Sequence, residues 1–265
     1  MLFRSHEATL PAFQAARHLV SNGEFLAFVE DGGYGDAAWW NEEGLAWRQF
    51  TRAAHPTFWI RAGAGDGAPW RLRLMLEEVD MPWNWPVEVN FHEAKAFCNW
   101  RAARDGLKVR LPSEDEWQRL AGFAGVGEVP ETAAANANLH LDHGASACAV
   151  DRFAHGPFFD VVGNVWQWTE TPIHPFEGFR VHPLYDDFTT PTFDERHNLI
   201  KGGSWIACGN ESRLSARYAF RRHFFQHAGF RYVVGDPPPA PAGSHYESDK
   251  LLSEYAEFHY GDSHF

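Results

Sequence analysis

Apolar side chains recur at helical spacing in some stretches of the chain and alternate in others. Behind Ser21 and Asn22, Phe25, Phe28 and Val29 lie three and four apart, the spacing of one helix face. Ser21 is an N-cap type, Glu24 follows it by three, and Asp31-Gly32-Gly33-Tyr34 stops the run. The preceding residues 7–20 read as a strand followed by a turn. A second helix is predicted from Phe91, capped by Asn90, with Ala94, Phe97, Cys98 and Arg101 along one side. A third opens at Ser113, with Glu116 three residues later and acids in the first turn, where the helix dipole favours them. Alternation over Trp70–Leu76 predicts a strand with one wet face. Trp166 and Trp168 are two apart, so on a strand they point one way and Gln167 the other. Otherwise residues 35–85 read as irregular and tryptophan-rich, and 121–150 as small and flexible. Pro237-Pro238-Pro239-Ala240-Pro241 closes the domain, because consecutive prolines continue neither a helix nor a central strand. Leu251, Leu252, Tyr255 and Phe258 predict a short helix within 246–265.

Composition narrows the possibilities. The 265 residues suffice for one large domain or two small ones, and no internal repeat is present. Twelve tryptophans and twenty-two phenylalanines predict aromatic-lined loops and pockets. A net charge of −12 argues against general nucleic-acid binding. The charge is uneven: Lys201–Tyr232 carries six Lys/Arg and one acid, a net +5, which leaves −17 on the rest. Such a segment lines an anion site or pairs with the acidic remainder. Cys98, Cys148 and Cys208 are far apart and form no CxxC pair, which supports neither a disulfide framework nor a zinc ribbon and fits a reducing cytoplasm. The first residues lack the apolar run of a signal peptide, and no stretch approaches membrane-spanning length. His92-Glu93 invites a zinc-protease reading, but Ala96 stands where the second histidine is needed. The pairs His140/His143 and His223/His227 read as polar or packing elements, so no metal ligand is assigned.

Three aromatic and glycine-rich blocks stand out: Gly163-Asn164-Val165-Trp166-Gln167-Trp168-Thr169-Glu170, Lys201-Gly202-Gly203-Ser204-Trp205 and His227-Ala228-Gly229-Phe230-Arg231. Arg110-Leu111-Pro112-Ser113-Glu114-Asp115-Glu116-Trp117 precedes them. Together, over roughly residues 12–235, they resemble the formylglycine-generating-enzyme (sulfatase-modifying-factor) domain. The resemblance implies an α+β, loop-rich, C-type-lectin-like fold with short twisted antiparallel sheets and few helices. It places that domain at 1–235 and makes 236–265 a Pro-rich linker and short tail leading to an absent C-terminal domain. Formylglycine-generating enzymes carry two close copper-binding cysteines in the last basic segment. Residues 201–235 hold only Cys208, so that activity is not expected.

The segments His182–Asp194 and Arg217–His227, with Tyr246-Glu247-Ser248-Asp249-Lys250, look most like ovothiol synthases, relatives of the ergothioneine sulfoxide synthases. That resemblance implies a non-haem iron, oxygen-dependent sulfoxide synthase joining cysteine to histidine. It implies iron(II) held by histidines of a preceding DinB-like helical domain, and a following methyltransferase domain; neither is in this sequence. The chain is then the substrate half, inactive alone, with histidine, cysteine and oxygen as substrates and with no nucleic-acid or membrane partner. Arg217, Arg221 and Arg222 are expected to grip carboxylates or to pair with the acidic body. Gln167, Trp168 and Tyr218 are expected to border the substrate pocket. The relatives have a tyrosine in the loop after the tryptophan block; here that loop reads Thr171-Pro172-Ile173-His174-Pro175-Phe176, which makes His174 the expected proton donor. A non-catalytic binding module of the same fold, or a fragment of an ergothioneine-type sulfoxide synthase, is the alternative.

Overall fold

The computed structural model describes residues 7–63, 67–128, 136–176, 179 and 190–239. The helix predicted within 246–265 lies outside them. Among the described residues there are four α-helices: α1 (Asn22–Glu30), α2 (Glu42–Thr51), α3 (Phe91–Asp105) and α4 (Glu114–Phe123). The twelve strands are β1 (Gln14–Ala15), β2 (Trp59–Arg61), β3 (Trp70–Arg73), β4 (Glu78–Asp80), β5 (Val109–Arg110), β6 (Ala154–His155), β7 (Phe158–Phe159), β8 (Trp166–Pro172), β9 (His197–Lys201), β10 (Tyr218–Arg221), β11 (Ala228–Gly229) and β12 (Val233–Val234).

Local chemistry starts the helices where the sequence places them. Ser21 Oγ accepts from Glu24 N at 3.1 Å. Asn90 with Glu93, and Ser113 with Glu116, form reciprocal capping boxes, each satisfying two amides that the helix leaves unpaired. α3 ends at Gly106, whose φ of 65° is open to glycine at little cost. Three expectations need correction. The segment 35–85 is not irregular throughout: it contains α2, capped by Asn41, and the antiparallel sheet β2–β3–β4. The alternation from Trp70 is a strand only to Arg73, because Leu74 N bonds to Glu77 O and turns the chain back into β4. The expected strand in 7–20 is reduced to Gln14–Ala15.

The sheets are short. β10, β9, β8 and β11 lie side by side in that order; β8–β9 and β9–β10 are antiparallel, and β11 runs parallel to β8. β1, β12 and β5 form a second antiparallel sheet, and β6 pairs with β7. The core between α1, α3 and the sheets is aromatic. Phe25 stacks on Phe97 at 5.4 Å and 13°, and Phe230 meets Phe97 edge-on at 5.4 Å. Burying each such ring stabilises the fold by roughly 1.5–3 kcal/mol. The architecture is α+β and loop-rich, and no helix of the described residues is long and apolar enough to cross a membrane.

Candidate functional site

The tryptophan block is where the chain crosses itself. Trp166 N bonds to His227 O and Trp205 N to Asn164 O, so all three sequence blocks meet at β8. Gln167 is fully buried; its Nε2 donates to Asp160 O at 3.1 Å and Val161 O at 2.9 Å, and its Oε1 receives Arg231 Nε at 3.4 Å. Trp168 is also buried, with Nε1 donating to Val89 O and its ring edge-on to Phe91. Glycine is needed at 202 because φ is 93° and a Cβ would sit 2.9 Å from Val161 O. Gln167 and Trp168, two of the residues expected to border a pocket, thus lie below the surface, tying it together.

β10 carries the next expected residues. Tyr218 is exposed and packs its ring 5.7 Å from that of Trp166. Burial of the hydroxyl, with Glu211 and Cys208 nearby, raises its pKa. Cys208 presents an exposed thiol in the same neighbourhood. Arg217 immediately precedes β10 and reaches toward α4. It grips Glu114 through Nε (2.9 Å) and Nη2 (3.0 Å), donates from Nη1 to His174 O (2.9 Å), and lies 4.3 Å over the Phe176 ring. Arg217 and His174 are therefore brought together, through the backbone of the loop after β8. Arg222 goes elsewhere: Nε to Asn198 Oδ1 at 2.8 Å, Nη1 to Glu43 Oε2 at 2.7 Å and Nη2 to Glu195 O at 2.6 Å. Arg221 is exposed and faces Asp194. Burial alone would raise the Asp194 pKa. Hydrogen bonds from His197 and Arg196 N, with the charges of His197 and Arg221, outweigh that and lower it.

Glu114 is the residue that sequence reasoning passed over. Its first-turn acid is explained by the helix dipole, but its carboxylate is buried and binds two cations. Lys201 Nζ, itself fully buried, lies 3.5 Å from Glu114 Oε1, 2.9 Å from Leu214 O and 2.7 Å from Ala216 O. Glu114 N also donates to Thr171 Oγ1 at 2.9 Å, and Glu170 N to Pro112 O at 2.9 Å. The start of α4 thus holds the end of β8 and the His174 loop from both backbone and side chain. No short-range pattern reports this, because Glu114 and Arg217 are 103 residues apart.

Among the described residues no three His, Cys, Asp or Glu side chains cluster so as to hold a metal. Non-haem iron requires a facial set of such donors with open positions, so these residues do not fit that ion. His223 follows β10 and His227 precedes β11, so the pair does not share a helix face. The buried ionisable groups serve other ends. Burial raises the Glu93 pKa to about 7, partly offset by hydrogen bonds from Tyr34 and Asn90 N. Burial raises that of Asp160 to about 8 and lowers that of Arg231 to about 10.

Residues 3–235 match the family model of the sulfatase-modifying factor enzyme 1-like domain. The chain is 32% identical over 251 residues to hercynine oxygenase of Mycobacterium tuberculosis, covering 86% of this chain and 53% of that protein. It is 26% identical over 227 residues to ergothioneine biosynthesis protein 1 of Schizosaccharomyces pombe, covering 84% of this chain and 25% of that protein. The chain thus spans about half the length of the first of these curated relatives, and less of the second. Among solved structures, Treponema denticola variable protein 1 superposes with a TM-score of 0.58 at 17% identity, covering 86% of each chain; this likeness concerns the fold alone.

Proposed function

Because the chain belongs to the sulfatase-modifying factor enzyme 1-like domain family, we propose that it is the substrate-binding half of an oxygen-dependent sulfoxide synthase that joins cysteine to histidine. The observation that carries this reading is the similarity to hercynine oxygenase along 86% of the chain. The geometry is compatible with it. Tyr218 and Arg221 present polar groups at the exposed surface of β10, and Arg217 fixes the loop that carries His174. In this reading Arg221 binds a substrate carboxylate and His174 moves a proton; Tyr218, three residues before Arg221 on β10, faces the other side of the strand beside Trp166. Gln167, Trp168, Arg217 and Arg222 hold the surface in shape.

Iron(II), when supplied by a histidine-bearing helical domain in the same or a separate polypeptide, provides the oxygen chemistry. The residues described here contribute binding and proton transfer. The first test combines the purified chain with a candidate helical partner and measures iron content and sulfoxide product by mass spectrometry. Iron uptake and histidine–cysteine sulfoxide formation are expected only in the mixture. One tightly held iron per isolated chain would overturn the division of labour. No product in a mixture that does take up iron would overturn the activity. The second reading, an ergothioneine-type synthase acting on hercynine, is favoured by the name of the same relative. Histidine and hercynine offered in competition to the reconstituted pair separate the two.

A further inference from the structure

A cleft of about 720 Å³ opens on a different part of the molecule, between α1 and the sheet β2–β3–β4. Its origin is a mismatch of lengths. Trp59 and Arg61 point to the same face of β2, and their register partners Leu72 and Trp70 point to that face from β3. At one end Trp59 and Leu72 are buried against the core. At the other, α1 has ended at Glu30, and the face is left open at Arg61 and Trp70. The volume lies within the range of small-molecule sites.

The walls are chemically distinct. Trp70 and Trp83 both stand edge-on to the buried Trp59, at 5.5 Å and 62° and at 5.9 Å and 87°. Leu26, Val29 and Met81 supply aliphatic surface. The Arg61 guanidinium carbon lies over the Trp70 ring, 3.5 Å from its centroid, and its Nη1 donates to Ala68 O at 2.6 Å. That contact and that bond set its orientation while leaving other N–H donors for an anion. Glu30 lines the same cleft as an exposed carboxylate, whereas Asp80 at its edge is the register partner of Arg71 and pairs with it at 3.6 Å on the other face of the sheet. One fixed cation, one anion and an aromatic–aliphatic floor match a ligand with one negative end, one positive end and an apolar body.

We propose that this cleft binds a small apolar zwitterion the size of a free amino acid, with its carboxylate on Arg61 and its ammonium toward Glu30. The side chain lies against Val29 and Trp83. The cleft shares no element with β8, β10 or the His174 loop, so it goes beyond the synthase reading and stands without it. The test titrates the full chain with L-phenylalanine while following the indole N–H signals of Trp70 and Trp83 by NMR, assigned through Trp70→Phe and Trp83→Phe. N-acetyl-L-phenylalanine and L-phenylalaninamide serve as probes with one end blocked. Saturable millimolar binding that moves both indoles is expected, weakened about tenfold by blocking either end. Arg61→Ala is expected to abolish the preference for phenylalanine over its amide and to keep the preference over the N-acetyl compound. No saturable shift at either indole, or blocked compounds binding as well as phenylalanine, would overturn the proposal.

Discussion

The far end of the basic segment 201–232, at Arg231, differs from its middle in what its cation meets. Lys201 and Arg231 are fully buried. Arg231 donates to Ala16 O at 2.7 Å, Phe159 O at 2.5 Å and Asp160 O at 3.3 Å, as well as to Gln167. Each of these partners is a neutral group. Its neighbour Asp160 is itself held toward the protonated form by burial. In the middle, Arg217 and Arg222 take carboxylates and carbonyls from distant elements, and Arg221 is exposed. The same residue type acts as a backbone clamp at the end and as a surface charge twenty residues or fewer away. An excess of +5 in the sequence is therefore not one anion site, because several of its charges are consumed in holding the fold.

The most severe test of this contrast is Arg231→Ala. Four acceptors lose a donor, and each of those left unpaired costs about 1–3 kcal/mol, Asp160 O keeping its bond from Gln167. A destabilisation on the order of 5 kcal/mol is expected by urea unfolding. A loss below 1 kcal/mol would show that the buried end is not a clamp.

Glu114→Ala comes next. It leaves Lys201 buried and Arg217 half-buried without their shared carboxylate, and breaking a buried ion pair costs about 3–5 kcal/mol. Because Arg217 also holds His174 O, resistance of the 171–176 loop to proteolysis should fall together with the melting temperature. A lowered melting temperature with an unchanged cleavage pattern would separate the core from the loop.

Glu93 shows what the interior does to a carboxyl that faces no cation. It is buried, accepts from Tyr34 Oη at 2.5 Å, and titrates at about 7 in place of 4.5. Between those values the folded chain keeps a proton that the unfolded chain has released. Its contribution is therefore full below about pH 4.5 and lost as pH rises through about 7. Adjacent His92, lowered from 6.5 to about 4 chiefly by burial, acts in the opposite sense: its contribution is lost as pH falls from 6.5 toward 4. Glu93→Gln preserves the capping geometry and should flatten the decline between about pH 4.5 and 7, with a gain at pH 8 of up to about 3 kcal/mol. Unfolding free energies of the two proteins at pH 5.5 and pH 8 decide it; equal slopes would contradict the assignment.

What was legible in the sequence was what depends on neighbours. Ser21, Asn90 and Ser113 mark helix starts because a cap acts on amides two or three residues on. α2 has the same kind of cap in Asn41, but position three holds Gly44 rather than Glu or Gln, so no capping box announces it among the tryptophans. The three aromatic blocks identified the fold because their glycines and tryptophans are needed where β8 meets the Gly202 turn and β11. The directions of Arg217, Arg221 and Arg222 were not legible. Their partners Glu114, Asp194 and Glu43 come from elements 103, 27 and 179 residues away, and strand alternation alone separates Arg221 from its neighbours.

Arg221→Ala is the smallest perturbation and the one that reaches function. The side chain is exposed, so stability should change by no more than about 0.5 kcal/mol. A charge-assisted contact to a carboxylate contributes about 1.5–3 kcal/mol. If Arg221 holds the substrate carboxylate, histidine binding in the chain reconstituted with its helical partner should weaken about 10- to 150-fold. Arg222→Ala is the control: it loses Glu43, Asn198 and Glu195 O at once, so its melting temperature should fall while the folded fraction binds histidine normally. Calorimetry with histidine and thermal unfolding of both variants cross the two effects. The comparison is sharpened if binding is lost in one variant and stability in the other. It breaks if Arg221→Ala binds histidine as the parent does, because the exposed middle of the segment would then hold no substrate carboxylate, and Arg217, bound to Glu114 with N–H donors to spare, would be the guanidinium left to test.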